Sequence, residues 1–308
     1  MKEIERANIG ITSMLFTLFA LPRVNVGNEY TKEIKGLTCT YHSPFGIPHT
    51  PTDRKFMERT TTCARRNHSR EVDMGSVTSA IVTFNMGVTG TNIQSVVKAI
   101  ERWGGLSITS KATIDPSKLN GYLSQFIMHN MHVADSVTCA YGHGRFSKDY
   151  QPYLPNSSIF TFSQAYYEGH IAKLICPHNQ ADYMAMRSPL VQDIYVWLVK
   201  RMFLLHEADE FIAWPCFFAQ YFQAVVLKGR DLERAKRKIK AAFAEIKKEY
   251  YPDARFSFSY QGVTLYKSPL LLEPEDKRGG FVPGGSEDWA PLDIHWSPDG
   301  KNYTIGDE

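Results

Sequence analysis

The sequence predicts an α+β chain of two tandem winged-helix domains, each a small helical bundle carrying a β-hairpin wing. Three observations lead there. Residues 76–103 read as two short helices joined by a glycine-bearing turn. Residues 231–267 read as a long basic helix, a proline stop and two alternating strands, which completes the order of a winged helix. The chain has 308 residues, 43% hydrophobic and 22% charged, enough for two ordinary globular cores.

From the N-terminus, the apolar run Ile9 to Pro22 is shorter than the ~20 residues a bilayer crossing needs. It lacks a signal peptide's small-residue cleavage site, and Lys2 and Arg6 are offset by Glu3 and Glu5, so it reads as a buried helix or a dimer-forming element. Tyr30 to Tyr41 alternates as a strand. Pro44, Gly46 and Pro48 break the chain, and Thr50-Pro51 opens a helix to about Asn67. Arg70 to Gly75 is a short strand. Ser76 caps a helix to Met86, Gly87 to Gly90 is a break, and Thr91 to Trp103 is a second helix. Its apolar residues Ile93, Val96, Val97, Ile100 and Trp103 form one stripe. Off that stripe lie Thr91, Asn92, Gln94, Ser95, Lys98 and Arg102, whose amides, hydroxyls and cations suit base edges and phosphates. Leu106 to Thr109 is a strand, with further wing strands expected before Tyr141. Gly142, Gly144, Pro152 and Pro155 make 142–156 the expected linker, giving a first domain over 1–150 that dimerises and binds DNA.

The second domain is expected over 151–272, as a C-terminal DNA-binding unit. Ser158 to Phe162 is a strand, and Ser163 caps a helix that ends near Leu174, where Cys176-Pro177 interrupts. Asn179 to Arg187 and the segment from Ser188-Pro189 are helices. Phe211-Ile212 is a short strand, Trp214-Pro215 opens a helix to Tyr221, and a long helix runs from Asp231 to Tyr251. The hairpin then pairs Ala254 to Tyr260 with Val263 to Lys267 across the turn Gln261-Gly262, with Phe256, Phe258 and Tyr260 on one face.

Wheel geometry at ~100° per residue divides the long helix sharply. Leu232, Ala235, Ile239, Ala242, Phe243, Ile246 and Tyr250 fall on one side. Arg230, Arg234, Arg237 and Lys248 fall opposite, flanked by Lys238 and Lys240, with the small residues Ala241 and Ala244 between them. Small residues amid cations let a helix approach a DNA groove while the long side chains reach phosphates and bases. These cations, with Gln261 in the wing turn, are the candidate DNA contacts of the second domain. From Lys228 to Tyr251 there are nine bases and four acids. Residues 273–308 carry nine acids against three bases, a net −6 that leaves +9 on residues 1–272. A basic body suits a polyanion partner, and the acidic tail, with its Gly279-Gly280 and Gly284-Gly285 pairs, reads as mobile.

Motifs for chemistry are few, and no enzyme activity, catalytic residue or cofactor is expected. No G-x-x-x-x-G-K-[ST] occurs, and His206-Glu207 has no partner histidine for a zinc-protease motif. The cluster His129, His132, Cys139 and His143 offers metal-ligand types, but a separation of three turns His129 and His132 to opposite faces of a strand. No metal site is therefore expected. The five cysteines are odd in number and widely spaced, which fits a reducing cytoplasm better than a disulfide framework.

Several stretches resemble the plasmid RepA-type replication initiators. They are Gly46-Ile47-Pro48 with the following helix, Ser69 to Gly75 with the helix pair to Trp103, Ser188 to Leu198, and Tyr251 to Arg255 with the hairpin to Ser268-Pro269. Their order and spacing carry the resemblance over roughly 10–105 and 158–269. The chain departs from the pattern at 106–156, at His49-Thr50, at 222–229 and in the tail after Leu272. The resemblance implies tandem winged helices on repeated duplex DNA sites at a plasmid origin, recruitment of host replication proteins, and a monomer–dimer balance with a possible homodimer. It implies a cytoplasmic protein associated with nucleoid or plasmid, and no membrane partner. Two alternatives stay open: a winged-helix transcriptional repressor with no replication role, and a metal-dependent enzyme acting on nucleic acid through the His129–His143 region.

Overall fold

The computed structural model describes residues 9–34, 37–112, 129–140, 157–205, 209–222, 229–271, 294–296 and 303–305. It is a mixed α+β structure of helices and several small antiparallel sheets built on two hydrophobic cores.

Strand β1 (Ile9–Ser13) and the short helix α1 (Leu15–Leu18) replace the single buried helix expected at the start. Ile9, Ile11 and Thr12 are β-branched and favour extended backbone. Their partner is β9 (Ile175–Asn179), in antiparallel register from Ile9↔Asn179 to Ser13↔Ile175. Cys176-Pro177 is thus part of a strand and not a helix interruption. The apolar side chains expected at a dimer contact, among them Ile11, Leu15, Phe16 and Phe19, are buried within the chain.

Residues 29–42 form two strands where one was expected. β2 (Glu29–Ile34) and β3 (Leu37–His42) pair from Glu29↔His42 to Ile34↔Leu37. Helix α2 (Pro51–Arg66) starts with a capping box in which Thr50 and Asp53 exchange hydrogen bonds. β4 (Glu71–Gly75), α3 (Val77–Thr83) and α4 (Gly90–Gly104) follow, with Ser76 and Thr89 as N-caps. β5 (Ser107–Ala112) and β6 (His129–His132) complete a four-stranded sheet in the order β2-β3-β5-β6. The next strand, β7 (Ala134–Thr138), leaves that sheet to join β8 (Ser158–Phe162) and β4. The strands after α4 are therefore shared between two sheets.

The first core continues past the boundary expected near residue 150. Phe160 and Phe162 on β8, Tyr166 on α5 (Gln164–Tyr166) and Ile171 in the π-turn Tyr167–Ile171 belong to the same core as Phe56 and Trp103, with Phe160 edge-on to Phe56 at 5.4 Å. Other members of that core come from α2, α4 and β4. The expected linker, 142–156, lies outside the described residues.

The second core gathers α6 (Gln180–Ala185), α7 (Pro189–Leu204), β10 (Glu210–Ala213), α8 (Trp214–Tyr221), α9 (Gly229–Glu245) with its π-turn Ile246–Tyr250, β11 (Arg255–Phe258) and β12 (Gly262–Tyr266). The sheet order is β10-β12-β11. Arg54 of α2 joins the two cores through Asp193 of α7. Glu58 of α2, fully buried, accepts from Gln180 at 3.1 and 3.2 Å and from Thr62 at 3.0 Å. Gly10 is needed there, since a Cβ would stand 2.2 Å from Glu58 Oε1.

Most of the tail expected to be mobile lies outside the described residues. Two described pieces pair as strands, β13 (Ile294–Trp296) with β14 (Tyr303–Ile305). Among the described residues no helix is long and apolar enough to cross a membrane.

Candidate nucleic-acid interface

The long helix α9 buries one face and exposes the other as its period-3.6 pattern requires. Ala235, Ile239, Ala242, Phe243 and Ile246 are buried in the second core. Phe243 is the hub of that contact, with its ring centroid 4.9 Å from Phe256, 5.6 Å from Phe258, 5.9 Å from Phe217 and 6.1 Å from Trp197. The hairpin β11–β12 is thereby held beside the helix. On the outer face Arg230, Arg234, Arg237, Lys238, Lys240 and Lys248 are all exposed, and Ala241 and Ala244 between them are exposed too.

Local partners leave most of these cations free to reach outward. Lys248 donates to Glu249 at 2.6 Å, which raises its pKa. Lys240 has its ammonium 5.5 Å from the Phe258 ring centroid and 5.8 Å from that of Trp214, which fixes it against the hairpin. Lys236 is buried and paired with Glu233 at 3.3 Å. Lys238 and Ala241 also line an open cleft of about 560 Å³ together with Pro22, Arg23 and Val24. Burial lowers the pKa of Arg23 there, against the opposing effect of Asp193.

The hairpin turn is rigid. Ser259 Oγ accepts from the amides of Gln261 at 3.2 Å and Gly262 at 3.1 Å, and the Ser259 amide donates to the Gly262 carbonyl at 2.9 Å. Trp214 donates its backbone N–H to Gln261 O and its indole N–H to Ser259 O. Gln261 is exposed at the turn, as is Arg255 on the outer side of β11. Tyr260 does not join Phe256 and Phe258: the ladder ends at Phe258↔Val263, and the turn rotates Tyr260 into solvent.

The helix pair α3–α4 presents a different surface. Thr91, Gln94 and Lys98 point outward. Asn92 and Ser95 are half-buried and bonded to nearby carbonyls, Asn92 Nδ2 to Gly87 O at 2.7 Å and Ser95 Oγ to Thr91 O at 2.9 Å. Arg102 turns inward to Asp53, 3.1 Å from Oδ2, with 15% of its side chain exposed. Lys98 is thus the outward cation of α4, and exposed Glu101 lies one turn further on.

Among the exposed cations near this face that the sequence assignment did not include are Lys247 and Arg255. Lys247 lies 5.3 Å from the Phe256 ring centroid, and Arg255 alternates with Phe256 on β11. Strand alternation signals Arg255. For Lys247 the signal is its place in the basic run. Of the metal-ligand types noted in sequence, His132 is exposed and His143 lies outside the described residues. Among the described residues no three His, Cys, Asp or Glu side chains cluster as a metal site.

No protein-family model matches the sequence, and no curated protein matches it. Solved structures do share the fold. A selenomethionine crystal structure of domains 2 and 3 of RctB aligns over 85% of this chain and 99% of its own, with a TM-score of 0.50 and 12% identity. A second crystal structure of RctB domains 2-3 aligns over 82% of this chain and 95% of its own, with a TM-score of 0.51 and 12% identity. At that identity the likeness is one of fold.

Proposed function

We propose that this chain is a replication initiator that binds repeated duplex sites at a plasmid origin and recruits host replication proteins. In this reading α9 enters the major groove as the recognition helix of a winged-helix unit, and the β11–β12 ribbon tracks the adjacent backbone. The helix pair α3–α4 makes a second, less charged contact through Thr91, Gln94 and Lys98. The protein holds and marks DNA, and it performs no covalent chemistry.

The carrying observation is the outer face of α9, where Arg230, Arg234, Arg237 and Lys238 stand exposed around Ala241 and Ala244, beside a rigid hairpin. An exposed cationic face without bulky residues at its centre suits a helix that lies close in a groove. The stretches that resemble RepA-type initiators support the initiator reading, and the fold shared with RctB domains 2-3 is compatible with it.

The test is a plasmid that carries the DNA flanking the gene, maintained with the chain supplied or withheld. Loss of maintenance on withholding it is the expected result. Unchanged maintenance, with duplex binding intact, would leave the repressor in place of the initiator.

A further inference from the structure

The tip of the hairpin holds an aromatic ring where strand alternation alone would have buried one. Phe256 and Phe258 pack on Phe243, and a continued ladder would bring Tyr260 to the same face. Tyr260 instead stands 87% exposed, the most open of the large hydrophobic side chains in the described residues. It is not on a loose loop. The turn that carries it is fixed by Ser259 Oγ from within and by two hydrogen bonds from Trp214.

One face of the ring is set against a cation. Lys236 Nζ lies 4.7 Å from the Tyr260 centroid and 5.9 Å from that of Trp214, and Glu233 holds the same ammonium at 3.3 Å. Phe211 adds a second exposed aromatic side chain at the tip, 45% open, its ring passing over Gly262. Lys240 and Arg255 place further positive charge along the ribbon. A fixed, solvent-facing ring flanked by cations is the arrangement that stacks nucleobases while neighbouring charges hold phosphates.

We propose that Tyr260 is a stacking platform for an unpaired base of single-stranded DNA, with Lys236 bracing the ring. A paired base has both faces stacked already, and freeing one requires unpairing and unstacking it. An unpaired base offers its face without that cost. The ligand is thus a strand of DNA already opened, which a chain bound to the neighbouring duplex through α9 could hold apart. This rests on the DNA-binding reading above, in which α9 and the paired strands of the ribbon lie along the duplex, and it gives the Tyr260 ring beyond the end of that ladder a separate role.

Fluorescence anisotropy of the full chain with a labelled mixed-sequence single strand, and with the corresponding duplex, tests the proposal. Tyr260→Ala should weaken single-strand binding about tenfold or more. Tyr260→Phe should keep it, and duplex binding of both variants should stay within about twofold of the parent. Equal loss on both DNAs, no loss on the single strand, or failure of phenylalanine to preserve binding would each overturn the platform. If the parent chain bound no duplex at all, the DNA-binding reading itself would fall. If duplex binding were strong and salt-sensitive while Tyr260→Ala changed nothing, only the platform would fall.

Discussion

Arg54 and Asp193 meet through two parallel hydrogen bonds at the junction of the two cores, Nε to Oδ1 at 2.6 Å and Nη2 to Oδ2 at 2.9 Å. Arg54 also donates from Nη2 to the carbonyls of Leu21 and Pro22, so one guanidinium ties α2, the segment after α1, and α7 together. Its side chain is 3% exposed.

Removing the carboxylate leaves that guanidinium buried without its counter-charge. Asp193→Ala should destabilise the chain by about 3–5 kcal/mol in urea unfolding, since an orphaned buried charge is the costly case. Replacing both partners, Arg54→Met with Asp193→Leu, should recover most of the loss. A double variant as unstable as Asp193→Ala would show that the hydrogen bonds to Leu21 and Pro22, and not charge pairing, dominate.

Arg234→Ala with Arg237→Ala should weaken duplex binding and flatten its salt dependence. Every phosphate that is no longer neutralised reduces the slope of log K against log salt by about 0.9, so the double variant should show a slope smaller by nearly 2. Both side chains are exposed on α9, so the circular dichroism spectrum and thermal midpoint should not change. A salt titration with an unaltered slope would remove these arginines from the interface.

Lys32 should make stability depend on pH on the alkaline side. Burial lowers its pKa to about 8 from 10.5, while its ammonium donates to the Phe222 carbonyl at 2.9 Å. Between those values the unfolded chain holds the proton and the folded chain has released it. Stability attributable to this group therefore rises with pH from about 8 toward 10. The gain from pH 7.5 to 9.5 should be on the order of 2 kcal/mol, and Lys32→Met should lack that increment. Parallel pH profiles for the parent and Lys32→Met would contradict the assignment.

Gly262→Ala should loosen the hairpin. A Cβ at this position would sit 2.2 Å from the Ile212 carbonyl oxygen, a backbone atom of the paired strand β10 that cannot swing aside. A loss of about 1–3 kcal/mol in chemical unfolding is expected, the usual range for overpacking. Because the strain falls on the sheet beside α9, hydrogen exchange on β10 and β12 should rise first.

Local pattern carried the elements whose partners are near in sequence. The stripe of α4 and the two faces of α9 follow from a 3.6 period, and the structure turns Ala235, Ile239 and Phe243 inward as the wheel places them. Pairings between distant residues left no such trace. The pairing of β1 with β9 depends on a segment whose Cys176-Pro177 resembles a break, and proline is tolerated because each strand of a two-stranded sheet keeps an unpaired edge. Arg102 looks like a free cation beside Lys98 until Asp53, far earlier in the chain, captures it. Tyr260 shares the alternation of Phe256 and Phe258, and only the Ser259 turn takes it out of the ladder.

The β1–β9 ribbon has a consequence for how the protein is made. Residues 9–13 are translated long before 175–179, their only strand partner in the described residues. Until β9 has been synthesised, that apolar segment has no strand mate, and chaperones or neighbouring nascent chains can reach it. The first core, which includes Leu174 and Met184, likewise cannot be complete until translation has passed them, even though most of its residues are decoded before.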